Sequence, residues 1–121
     1  MMKNIQLGDA EAQFANLVWE HEPVTSTQLV TLAAQALGWK KSTTYTVLRR
    51  LCEKNLMKNE DAVVTSCVSK SEYLADQSRQ FVEEHFGGSI PMFLVSFREK
   101  QDLSEEDWAL LRRMVEEHEV K

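Results

Sequence analysis

The stretch TSTQLVTLAAQALG, residues 25–38, constrains the chain more tightly than any other. Thr25 stands three residues before Gln28, the spacing at which a hydroxyl and an amide side chain cap a helix reciprocally. Leu29, Leu32, Ala33 and Ala36 recur on one helical face, and Gly38 supplies the left-handed stop. Helices are predicted close on either side. Upstream, Asp9 is the expected cap of a helix over about 9–20 with Phe14, Leu17 and Val18 at helical spacing, and Pro23 closes the linker. Downstream, Ser42 is the expected N-cap of a third helix running to about Lys54, where Asn55 takes the left-handed conformation that ends it. Two β-prone segments, 56–58 and 63–68, follow and are joined by the polar turn NEDA.

Three helices and a hairpin, in that order, are the layout of a winged helix-turn-helix domain, whose third helix enters the major groove of DNA. The composition of that helix can be tested against this role. Thr44, Val47, Leu48 and Leu51 form the stripe that must face the core. Opposite them lie Ser42, Thr46 and Arg49, with Thr43 and Arg50 on one flank and Tyr45 on the other. Hydroxyls and guanidinium groups are the donors that hold phosphates or read base edges, and Lys40 and Lys41 precede the helix where backbone phosphates would pass. The window 39–58 holds Lys40, Lys41, Arg49, Arg50, Lys54 and Lys58 against Glu53 alone, in a chain whose formal net charge is -5. This basic island, the two preceding helices and the following hairpin together favour DNA over the plainer reading of a solvated helix face.

Other functions find little support. The 43% hydrophobic and 27% charged composition, without repeats or low-complexity tracts, is globular. The N-terminus lacks the apolar core of a signal peptide, and IPMFLVSF, residues 90–97, is too short to span a bilayer, so a cytoplasmic location is expected without membrane insertion. The charged stretches around Glu83, Glu84 and His85 and around Glu116, Glu117 and His118 read as solvated helix ends rather than acid–base machinery. His21, His85 and His118 show no paired metal-ligand spacing, and no cofactor is expected. Cys52 and Cys67 read as small buried hydrophobes of a reducing compartment, without a structural disulfide. Two rivals remain. One is a winged helix that binds protein, which would favour apolar anchors on the third helix, where Tyr45 is the one candidate; the other is a weakly specific architectural DNA binder.

The C-terminal part has a different character. Residues 76–121 carry the whole acidic excess. Ser71 is the expected cap of a fourth helix over about 72–86, ended by Gly87 and Gly88. A fifth begins at Ser89 with Pro91 in its first turn and is apolar on most sides, and a sixth is announced by Ser104 with Asp107. So short a segment has too little interior for Phe81, Phe86, Phe93, Leu94, Phe97, Trp108, Leu111 and Val115. Packing against a second copy about a twofold axis would bury them and present two recognition helices to an inverted repeat; the plainer alternative is that these helices fold back over the first domain of the same chain. The expected architecture is thus mostly α with a small β-hairpin. It comprises a winged helix-turn-helix DNA-binding domain over 1–72 and a helical dimerisation arm over 73–121.

From about Leu7 to Val115 the chain resembles the penicillinase-repressor (BlaI/MecI/CopY) family of bacterial transcriptional regulators. The resemblance is carried by AEAQFANLVWEHEPVTSTQLVTLA, GWKKSTTYTVLRRLCEKNLM, VSKSEYLADQ, and LVSF with DLSEEDWALLRRMV. It implies a winged-helix homodimer that represses genes for β-lactamase, an alternative penicillin target or copper export at inverted repeats rich in TACA/TGTA. It further implies that Thr43 and Thr46 read bases, that Arg50 clamps a phosphate and that Trp39 packs the turn. Three departures stand out. VVTSCV replaces the aromatic residues and proline usual in the wing, implying a shorter hairpin or weaker DNA contact. Ser96-Phe97 replaces the Asn-Phe bond whose proteolysis induces penicillin-responsive members. Copper-responsive members end in a cysteine-rich metal site, and no cysteine lies in this tail.

Overall fold

A computed structural model describes residues 5–100 and 103–119. The elements are α1 Asp9–His21, β1 Val24–Thr25, α2 Ser26–Leu37, α3 Lys41–Glu53, β2 Met57–Glu60, β3 Val63–Ser66, α4 Lys70–Phe86, α5 Ile90–Lys100 and α6 Glu105–Glu119. They divide into two compact units, one reaching Ser78 and the other starting at Arg79.

The first unit is a winged helix built on local signals. Thr25 and Gln28 cap α2 reciprocally, each backbone N–H donating to the other's side chain at 3.0 Å. Gly38 ends α2 in the left-handed region at φ 70°, and Asn55 does the same after α3 at φ 62°. The Leu29 and Ala33 side chains of α2 are buried, whereas Ala36 is exposed, so the inward stripe is narrower than expected. On α3 the whole expected stripe, Thr44, Val47, Leu48 and Leu51, is buried. Of these, Val47, Leu48 and Leu51 join Phe14, Val18, Leu56, Met57 and Val64 in one core.

Several helix starts differ from expectation. Gly8, not Asp9, is the N-cap of α1; its N–H donates to Glu11 Oε1 at 3.0 Å, and Asp9 is the first helical residue. Lys40, not Ser42, occupies the cap position of α3, without a side-chain cap. Ser42 sits inside the first turn, where its carbonyl accepts from the Thr46 hydroxyl at 2.9 Å. The cap of α4 is Ser69 rather than Ser71: Glu72 N–H donates to Ser69 Oγ at 3.0 Å, and Ser69 N–H to Glu72 Oε1 at 2.9 Å. Only at α4 does the neighbouring residue cap a free first-turn amide with its side chain; α1 and α3 start at residues that offer no side-chain cap.

The sheet has three antiparallel strands in the order β1-β3-β2, one more than expected. Val24 pairs with Val64 and Thr25 with Val63, while β2 and β3 form the hairpin from Met57↔Ser66 to Glu60↔Val63. Asp61 and Ala62 turn the hairpin with φ values of 53° and 65°, both left-handed. The turn is tied back by Ser26 N–H, which donates to Ala62 O at 2.9 Å. The base of the hairpin is held by the Glu22 carboxylate, which accepts from Ser66 N–H at 2.8 Å and from Ser66 Oγ at 2.9 Å.

In the second unit, Ser89 caps α5 and Ser104 caps α6 with Asp107, as their spacing implies. Gly87 and Gly88 turn between α4 and α5 at φ 57° and 83°. A chain of rings runs Phe81, Phe86, Phe93, Phe97, with successive centroids 6.1, 5.6 and 5.1 Å apart. Among the described residues of this unit the only buried apolar side chain is Val82, and α5 buries none.

Candidate nucleic-acid interface

The position of α3 follows from what lies just before it. Trp39 stacks on Phe14 with centroids 5.6 Å apart and planes 17° from parallel, and the Thr44 hydroxyl donates to Lys40 O at 3.1 Å. With the buried stripe pinned, the opposite face points outward. Lys40, Lys41, Ser42, Thr43, Tyr45, Arg49 and Arg50 are exposed and Thr46 is half-buried. The eight residues singled out from the sequence therefore lie on and just before one helix.

Their surroundings divide them. Arg49 and Tyr45 line an open groove of about 540 Å³ between α3 and the hairpin, facing Lys58 and Asn59 of β2. Arg50 lies towards α1, where its charge adds to the field on Glu11. That carboxyl is held below its ordinary range by the Gly8 amide first, then by Lys54, with Arg50 contributing least. The two arginines thus straddle the helix. Lys54, part of the basic island, is engaged in the fold, donating to Glu11 Oε1 at 2.9 Å and to Gln6 O at 2.8 Å.

Thr46 has a defined polarity. Its hydroxyl hydrogen is committed to Ser42 O, so the side chain offers a methyl group and oxygen lone pairs to a ligand.

Lys58 and Asn59 were not singled out from the sequence as site residues, since only the hairpin geometry brings them opposite Arg49. The hairpin tip carries Glu60 and Asp61, with Lys58 3.7 Å from Glu60. The cysteines are less buried than expected, Cys67 exposed and Cys52 half-buried; both are free thiols and both line the groove. Among the described residues no three His, Cys, Asp or Glu side chains are grouped to hold a metal ion, and no helix is long and apolar enough to cross a membrane.

The sequence profile of penicillinase repressors matches residues 7–117, nearly the whole chain. The chain belongs to the penicillinase repressor family. The family is one of transcriptional repressors, not enzymes. Among its members, the penicillinase repressor of Bacillus licheniformis is 25% identical over 98% of this chain and 95% of that protein. The methicillin resistance regulatory protein MecI of Staphylococcus aureus is 23% identical over 93% of this chain and 95% of its own. The solution structure of the DNA binding domain of the repressor BlaI superposes with a TM-score of 0.54 at 25% identity, covering 60% of this chain and 94% of that domain. The Bacillus licheniformis BlaI monomeric form, solved in complex with the blaP half-operator, gives a TM-score of 0.52 at 26% identity with the same coverage. The fold of this penicillinase repressor family member is accordingly a winged helix.

Proposed function

We propose that this chain is a sequence-specific DNA-binding transcriptional repressor of the cytoplasm, acting as a homodimer on an inverted-repeat operator. The observation that carries the reading is the exposed face of α3. Six of its outward residues, and Lys40 just before it, are cations or hydroxyls, and Tyr45 is the one aromatic ring. That chemistry suits phosphates and base edges and leaves a protein partner little apolar anchor.

In this reading Thr43 and Thr46 meet the bases. Because the Thr46 hydrogen is spent on Ser42 O, Thr46 contacts a thymine methyl or accepts from an exocyclic amine rather than donating. Arg49 and Tyr45 work on the groove side, and Lys40, Lys41, Ser42 and Arg50 hold backbone phosphates. The hairpin contributes less, because Glu60 and Asp61 at its tip repel the DNA backbone.

The homodimer is supported by the apolar surface left on the second unit. Phe81 is 48%, Ile90 53%, Leu110 54%, Met114 58% and Val115 57% exposed. Phe86, Phe93, Leu94, Phe97, Trp108 and Leu111 are half-buried beside them. A solvated monomer rarely carries that much apolar area. Operators with TACA/TGTA halves and control of β-lactam-resistance-type genes extend the reading by family. Release by an inducing protease at Ser96-Phe97 would require α5 to open, since the bond lies within that helix and Ser96 Oγ donates to Phe93 O at 2.6 Å.

Selection of binding sites from a random duplex pool tests the reading without presupposing an operator. Enrichment of an inverted repeat by the native chain, lost for Thr46→Ala with Arg49→Ala, is the expected result. Binding to every duplex alike would point to an architectural role, and no retention of DNA would leave the α3 face to a protein partner.

A further inference from the structure

The groove between α3 and the hairpin holds a feature that DNA reading does not use. Cys52, in the last turn of α3, and Cys67, just beyond β3, line its wall together. They stand at two ends of one short hydrogen-bonded path. Cys67 N–H donates to Leu56 O at 2.7 Å, Leu56 N–H donates to Leu51 O at 3.0 Å, and Leu51 is the residue before Cys52. Both are free thiols. Disulfides that form in a reducing compartment are usually catalytic or redox-sensing rather than structural, and a sensing pair combines an exposed thiol with a resolving one near it.

We propose that Cys52 and Cys67 form a thiol pair, responsive to hydrogen peroxide, that closes to a disulfide across this groove and weakens DNA binding. Exposed Cys67 meets the oxidant first: its sulfur attacks the peroxide, the O–O bond breaks, and Cys67 becomes a sulfenic acid as one water leaves. The Cys52 sulfur then attacks the sulfenic sulfur, the S–O bond breaks, and a second water leaves with the disulfide formed. Two thiols lose two electrons in total and the peroxide gains them. Burial first, and then the charge of Cys67, pushes the Cys52 thiol above its ordinary range, which disfavours Cys52 as the first sulfur to meet the oxidant. Closure draws the end of the hairpin onto the last turn of α3 and fills the space that Tyr45 and Arg49 share with the thiols. The effect on DNA rests on the function proposed above; the disulfide itself does not.

The test treats the reduced full-length chain with hydrogen peroxide and reads two signals. By mass spectrometry the chain should lose the mass of two hydrogen atoms and yield a Cys52–Cys67 crosslinked peptide. By anisotropy its affinity for selected operator DNA should fall about tenfold, the scale of losing one arginine contact, and return with dithiothreitol. Cys52→Ser and Cys67→Ser should each bind DNA as the reduced chain does and keep their affinity after peroxide and dithiothreitol. A disulfide joining two chains, a sulfenic acid that goes no further, or an internal disulfide with unchanged DNA affinity would each overturn the proposal. If the reduced chain binds no DNA, the functional reading fails, and the mass measurement still decides whether the thiols pair.

Discussion

The indole of Trp39 lies flat on the ring of Phe14, 5.6 Å from centroid to centroid, so the turn before α3 is pinned to α1 by one aromatic contact. Phe14 is wholly buried, and Trp39 half so. Trp39→Ala removes the stack and a large share of buried ring, and is expected to destabilise the chain by about 2 kcal/mol, below the cost of deleting a fully buried ring. Trp39→Phe should recover at least half of that. Urea unfolding followed by circular dichroism measures both, and a loss under about 0.5 kcal/mol for the alanine variant would show that the stack does not hold α3.

Glu11 joins three parts of the first unit, accepting from Gly8 N–H at 3.0 Å and from Lys54 Nζ at 2.9 Å. The Gly8 amide and then Lys54 hold its carboxyl below the ordinary value. Its contribution is therefore complete above the unfolded carboxyl pKa and is lost as pH falls through the lower folded value. Lys54 remains 39% exposed, so solvent screens the pair, and Glu11→Gln should cost about 0.5–1 kcal/mol at neutral pH. Unfolding at pH 7 and in mild acid checks the sign: the gap between native and variant should narrow in acid.

Ala62 turns the hairpin at φ 65°, a conformation that strains any residue with a Cβ. Ala62→Gly should relieve that strain, partly offset by the freer unfolded chain, for a net gain of about 0.5–1 kcal/mol. Thermal unfolding at fixed pH reads the gain. A destabilised variant would mean that the turn tolerates alanine without strain.

Leu110 and Met114 lie one helical turn apart on α6 and are both more than half exposed. Replacing both by Glu places charge on the surface assigned to self-association. Sedimentation should show a dimer for the native chain and a monomer for the double variant, with the helical signal kept. A dimer that survives the double change would locate the contact elsewhere.

Much of this architecture was legible where one local interaction decides an element. Thr25 with Gln28, Ser104 with Asp107, and the left-handed Gly38 and Asn55 all act as their spacing implies. The stripe through Thr44 and Leu51 was equally plain, because α3 alternates cleanly between small or apolar and polar positions. Choices among adjacent capping residues were not legible: Ser69 and Ser71 both precede the same helix, and only the reach of Glu72 selects Ser69. Strand β1 escaped notice because two residues carry no period, and its pairing depends on Val64 forty residues away in sequence. For the same reason the groove was invisible, since Cys52, Lys58 and Cys67 meet only once the hairpin folds against α3.

The most direct test of the central claim is fluorescence anisotropy of a labelled TACA/TGTA inverted repeat against a scrambled duplex at several salt concentrations. Tight binding to the repeat alone, weakening steeply with salt and fitting two chains per duplex, is the predicted result. Equal binding to both duplexes, or none to either, would contradict a sequence-specific repressor reading DNA with the exposed face of α3 at this operator.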